Sequence, residues 1–209
     1  MRLTTGILLL ALTLFVPLFI TTGIGPVDFW WWMTANLLIL LGIVVRLDPD
    51  WRHLLAADLK DHALRKAALG ILSAGVLYMV FWFGDKASRY LLAEAARDIS
   101  GVYAFRGHAS AVRIVLLMIF IIGPGEELFW RGFLQRRFED RLSKRSGWLL
   151  ATVAYTAIHI ASGNPILVLA AGVCGLFWGW LYSRYHSMVL NGVSHTIWDI
   201  AVFVLFPFH

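Results

Sequence analysis

LTTGILLLALTLFVPLFITTGIG, the stretch Leu3–Gly25, contains no charged residue. A bilayer-crossing helix needs roughly 20 mainly apolar residues. This one meets that length, runs on too long for a cleaved signal peptide, and is followed by no small-residue cleavage motif. Six further stretches carry the same pattern: Val27–Val45, Ala67–Gly84, Ile114–Phe133, Gly147–Ala161, Pro165–Tyr182 and Met188–Phe206. The second opens on Trp30, Trp31 and Trp32, a composition suited to the interfacial aromatic belt. The expected fold is therefore all-α, a polytopic membrane bundle of about seven helices. The fourth is abnormal, because it carries Glu126, Glu127 and Arg131.

Composition agrees. Of 209 residues, 59% are hydrophobic and 15% charged, against about half and a quarter in soluble domains. Mean hydropathy is +0.72. A water-soluble globule and a disordered chain are both excluded. The net charge of +5 does not point to nucleic acid, since the basic residues cluster between apolar runs. Cys174 is the only cysteine, so neither an intramolecular disulfide nor a cysteine-only zinc site can form.

The connections set the orientation. With the N-terminus cytoplasmic, one side collects thirteen Lys and Arg and the other five, all within Lys86–Arg113. The positive-inside rule then predicts N-in, C-out. The expected location is multi-pass in a membrane, the cytoplasmic membrane of a prokaryote. Residues 1–209 read as one integral membrane domain, with a motif-bearing core over 112–206. Residues 46–66 read as an amphipathic helix, either in the headgroup plane or packed on the bundle as a linker. Its apolar positions are Trp51, Leu54, Leu55, Leu59 and Ala63, beside Arg52, Asp58, Lys60 and Asp61. A short surface helix is expected over Ser88–Arg97.

Charged residues inside a span cost at least roughly 2.5–3.5 kcal/mol each on insertion scales, so they mark function. Glu127 and Arg131 stand at i and i+4, acid first, which favours a pair on one face. Glu126 is turned about 100° away and is left to face another helix. Gly123-Pro124-Gly125 immediately precedes the acids and predicts a kink or break, with Glu126 in the first turn of a new helix. In the fifth span Tyr155 and His159 share a face. In the seventh, Asn191, His195 and Asp199 form a stripe at four-residue spacing, and Asp199 can fix the tautomer of His195.

Helical rise places Glu126, His159, His195 and Asp199 roughly 22, 20, 12 and 18 Å from one side. They can share a layer near mid-membrane. A carboxylate beside an imidazole activates water for attack on a carbonyl, and a second imidazole stabilises the oxyanion. Ser194, adjacent to His195, is a poor nucleophile candidate. Glu with two His is also a donor set that a divalent metal accepts, so metal stays open.

Three motifs stand in order. Glu126-Glu127-Leu128-Phe129-Trp130-Arg131 resembles the E-E-x-x-x-R motif of the CPBP intramembrane proteases, also called the type II CAAX prenyl protease or Abi family. Tyr155-Thr156-Ala157-Ile158-His159 is similar to its F-x-x-x-H motif with Tyr in place of Phe. His195-Thr196-Ile197-Trp198-Asp199 resembles its H-x-x-x-N/D motif. The likeness runs roughly from Val112 to Phe206. It implies a glutamate-dependent endopeptidase within the membrane: Glu126 as general base, His159 as its partner on water, His195 and Asp199 on the oxyanion side, Glu127 and Arg131 in support. Asp199 departs from the Asn of the eukaryotic prenyl proteases. The family has also been described as metalloproteases. Its members trim prenylated C-termini, process bacteriocin-type peptides or cleave sorting tails. The implied partners are a membrane-anchored protein or peptide substrate and the bilayer, with no nucleic acid. Competing classes are a transporter or proton relay, which also uses intramembrane Glu, His and Asp, and a catalytically silent assembly factor. Against transport, the first half does not repeat the interrupted-helix pattern.

Overall fold

The boundaries of the helices are written in small polar residues. Asp28, Asp48, Ser110, Ser143, Asn164 and Ser187 each accept a hydrogen bond from the backbone N–H three residues on, and a helix starts directly after each. The computed structural model describes residues 2–208; Met1 and His209 of the expected single domain lie outside the described residues. The order is α1 (Arg2–Thr21), a two-residue hairpin of β1 (Gly23–Ile24) and β2 (Val27–Asp28), α2 (Phe29–Leu47), α3 (Pro49–Lys60), α4 (Ala63–Leu91) and α5 (Ala95–Tyr103). A long helical run, α6 (Ala111–Glu139), follows, then α7 (Lys144–His159), α8 (Pro165–Tyr185) and α9 (Met188–Ile200), which ends in a π-helical tail, Ala201–Leu205.

Each of the seven stretches read as spans holds a helix, although Thr22–Gly25 and Val27–Asp28 at the ends of the first two belong to the hairpin. Five helices, α1, α2, α4, α8 and α9 with its tail, are each long and apolar enough to cross a bilayer. The segments Ala95–Arg106 and Ala111–Glu139 meet at 85° and together supply a sixth candidate. Helix α7, at 16 residues, is short of that length. The chain is an integral, multi-pass membrane protein.

Helix α9 is the most enclosed span, with 56% of its window buried against 17% for α4. Missing side chains let its neighbours approach. A Cβ on Gly70 of α4 would lie 2.8 Å from the Leu190 carbonyl oxygen. One on Gly123 of α6 would lie 2.3 Å from Thr196 Oγ1 and 2.9 Å from Thr196 Cα. With lipid as apolar as leucine, such close packing is what holds membrane helices together. Gly123→Ala is therefore expected to destabilise by about 1–3 kcal/mol through overpacking. Gly75→Ala on the open face of α4, where nothing lies within 4 Å, should be neutral or mildly stabilising. Thermal unfolding in detergent checks the pair.

Two local expectations need correction. The chain does not break at Gly123-Pro124-Gly125. The Gly123 N–H bonds the Met118 carbonyl five residues back, so a π-helical turn over Met118–Ile122 absorbs the proline that has no N–H of its own. Glu126 does fall in the first turn of the α-helical piece that follows, Gly123–Phe129. A second π-helical piece, Trp130–Gln135, comes next, so the acidic turn is flanked by two π segments. Ser88–Arg97 is not one surface helix: α4 runs on to Leu91, and α5 starts at Ala95. Of the two readings of the 46–66 helix, packing on the bundle holds: Asp58 is buried, accepts from the Val189 N–H at the start of α9, and pairs with Lys66 at 2.8 Å. Trp51 is buried too, its indole N–H on the Leu128 carbonyl, so α3 docks on the bundle while Leu54 and Leu59 stay exposed.

The bundle has two distinct ends. One gathers the hairpin, the 85–110 connection, the α7–α8 turn and residues 206–208. Arg113 pairs with Asp28, the Asn164 amide donates to the Asp98 carbonyl at 2.7 Å, and the Phe208 N–H donates to the Tyr103 hydroxyl. The other end gathers α3, the end of α6, the start of α7, the end of α8 and the start of α9. There Asp48, fully buried, pairs with Arg136 and Arg137, and Ser183 bonds Glu139.

Candidate active site

Glu126 and Glu127 both lie buried in α6, and their different rotation gives them different neighbours. Glu127 is saturated. Its Oε1 accepts from Arg131 Nη1 at 2.8 Å and stands 2.8 Å from His195 Nδ1; its Oε2 accepts from Asn191 Nδ2 at 3.0 Å. Arg131 is held further by the faces of Tyr155, at 4.7 Å, and Trp178, at 5.6 Å. Asn191 also donates to the Trp178 carbonyl. Among the described residues, no cation or histidine pairs with Glu126; the Tyr155 hydroxyl lies within hydrogen-bonding reach of its carboxylate. Arg131 thus neutralises the second acid and leaves the first for another purpose, as the spacing predicts.

His159 closes α7. Its Nδ1 is 2.8 Å from the Tyr155 carbonyl oxygen, an atom that only accepts. In the neutral imidazole this fixes the proton on Nδ1 and leaves the Nε2 lone pair available.

His195 is bracketed. Glu127 takes its Nδ1, and Asp199 Oδ2 lies 3.5 Å from Nε2. The closer partner, and so the one that orients the ring, is Glu127 and not Asp199. Trp178 stacks on the ring at 3.8 Å between centroids. With Nδ1–H on Glu127, either Nε2 carries a second proton and donates toward Asp199, or Asp199 carries that proton and donates to Nε2.

A cavity of about 290 Å³ joins these groups, lined by Glu126, Tyr155, His159, Cys174, His195 and Asp199. Glu127, Arg131 and Asn191 lie behind that wall. All eight residues singled out from sequence thus fall in one assembly, five facing the cavity and three bracing it. Residues 108–201 match the family model of the type II CAAX prenyl endopeptidases, Rce1-like. Over those residues the chain is similar to that Rce1-like family. No curated protein and no solved structure matches the chain.

That likeness points to a membrane protease, and whether a metal fits can be read from the residues themselves. Among the described residues, no three His, Cys, Asp or Glu side chains converge as ion ligands. Both nitrogens of His195 face carboxylates and Nδ1 of His159 faces a carbonyl, which leaves one imidazole nitrogen in the cavity that Glu126 lines. That donor set does not fit a bound divalent ion.

Sequence reading missed Trp178, the plate under His195 and Arg131. A tryptophan in an apolar helix carries no signal of its own. Ser194, dismissed as a nucleophile, is structural: it accepts from Trp178 Nε1 at 3.1 Å and from Ser73 at 2.9 Å.

Proposed function

We propose that this chain is an intramembrane endopeptidase that hydrolyses peptide bonds of membrane-associated substrates with a water activated by Glu126 and His159. The observation that carries it is the unequal treatment of the paired acids. Glu127 is bonded three ways, by Arg131, His195 and Asn191, while Glu126 lines a cavity that His159 also lines, its Nδ1 held by a carbonyl and its Nε2 left for a ligand. A structural lock has no use for a second buried carboxylate, which adds desolvation cost without a partner.

In this reading the Glu126 carboxylate takes one proton from water. His159 Nε2 accepts a hydrogen bond from the other and orients it. The water oxygen bonds the carbonyl carbon, and the carbonyl π electrons move to oxygen. His195, doubly protonated, directs Nε2–H at that oxyanion; its 3.5 Å contact with Asp199 is loose enough to be exchanged. Collapse breaks the C–N bond, and Glu126 returns its proton to the leaving nitrogen. The products are a carboxylic acid and an amine.

The test is cleavage of a membrane-anchored peptide by purified protein in detergent. Wild type should cleave. A proton-coupled flux without cleavage would favour the transporter reading, in which the same residues relay protons. The metal question has its own outcome. Thorough chelation should leave the rate within about twofold of untreated enzyme. Loss on chelation, with recovery on adding a divalent ion, would overturn the glutamate–histidine mechanism.

A further inference from the structure

The wall of the cavity extends toward only one end of the bundle. Beyond the site residues, its wall runs through Phe29 and Trp30 at the start of α2, Asp85 and Ser88 near the end of α4, Tyr103, and Phe208. All belong to the hairpin end. No lining residue comes from α3 or from the 136–146 or 184–187 connections at the opposite end.

The two ends differ sharply in charge. The hairpin end carries Lys86, Arg89, Arg97, Arg106 and Arg113. Four of these five are in ion pairs, with Asp85, Glu94, Asp98 and Asp28, and only Arg106 has no ion pair among the described residues. The opposite end carries twelve Lys and Arg even with the buried Arg131 left out. Nine of them, including Arg52, Arg141 and Arg145, have no ion pair among the described residues. Lys and Arg near span ends are retained on the cytoplasmic side. The opposite end is thus cytoplasmic, and the cavity faces away from it.

The wall also limits what can enter. It is aromatic and aliphatic, with Phe29, Trp30, Phe81, Phe105, Phe203 and Phe208. It holds three acids, Asp85, Glu126 and Asp199, and no Lys or Arg. An uncharged apolar stretch fits it.

We propose that the site is fed from the non-cytoplasmic side and takes an apolar segment of a translocated, membrane-anchored polypeptide. A lipid-modified tail presented in the cytoplasm would meet the end that the cavity wall does not reach. The proposal rests on the protease reading above, and its tests separate the two.

Two exposed histidines give sided probes without changing the Lys/Arg count: His108 at the hairpin end and His53 at the opposite end. Cys174 is buried, so the unaltered chain is the blank. In intact cells of a bacterial host, a membrane-impermeant maleimide should label His108→Cys at least tenfold more than His53→Cys. Permeabilisation should equalise them. The reverse order, or equal labelling before permeabilisation, overturns the proposal and leaves cleavage in detergent untouched. The second arm uses an apolar segment that the detergent-solubilised enzyme cleaves. It is fused to a reporter outside or, inverted, to a reporter inside. The outward fusion should be cut at least tenfold faster. Equal cutting, preference for the inward fusion, or cutting of neither overturns the sidedness. No cleavage in detergent would sink the protease reading itself.

Discussion

Glu126→Gln is expected to lower the cleavage rate by about 10²–10⁴-fold, the range that a positioned general base contributes. The fold should survive. Gln keeps the shape of the side chain, and Glu126 anchors no ion pair among the described residues. Its one close polar neighbour, the Tyr155 hydroxyl, can still donate to an amide oxygen. Thermal unfolding in detergent should move little while turnover collapses, and substrate affinity should be nearly unchanged. A variant that keeps more than a tenth of the wild-type rate would remove Glu126 from the role of base. His159→Ala should mimic it in rate, since the Nε2 acceptor for the water is then gone.

The acids, their spacing and the pairing of the second with Arg131 were legible because a membrane makes charge conspicuous. In a span, a carboxylate at i and a guanidinium at i+4 are a pair before any coordinates are known, and Glu127–Arg131 at 2.8 Å is that pair. The histidines were legible for the same reason. What stayed hidden depended on partners distant in sequence or on backbone detail. Asp48 neutralises Arg136 and Arg137, 88 and 89 residues away, and nothing local announces it. Pro124 signalled a disturbance without its form: whether the helix breaks or slips into a π turn is decided by packing, here against Thr196. The end of α4 was misplaced because Lys86 and Arg89 look like a loop. Asp85, buried one turn earlier, pairs with both, and the helix carries them on.

Glu127→Gln is expected to cost about 3 kcal/mol or more of stability and to lower activity with it, because breaking a buried pair leaves an uncompensated charge. Arg131, 2% exposed, would keep only the faces of Tyr155 and Trp178. Cation–π contacts of a desolvated cation return about 2 kcal/mol, which does not replace a buried ion pair. His195 would lose the acceptor that fixes its Nδ1 proton, and Asn191 an acceptor at 3.0 Å. Two companions separate the effects. Adding Arg131→Met to Glu127→Gln removes the orphaned charge, so stability should recover, yet activity should stay low because His195 is still unanchored. Asp199→Asn should leave stability close to wild type, since Asp199 balances no guanidinium and touches His195 only at 3.5 Å. If Asn at 199 retains substantial activity, hydrogen bonding there suffices; a large fall without change in binding means that the carboxylate keeps His195 doubly protonated. A Glu127→Gln variant as stable as wild type would show that Arg131 is compensated elsewhere, and the division of roles between the two acids would fall.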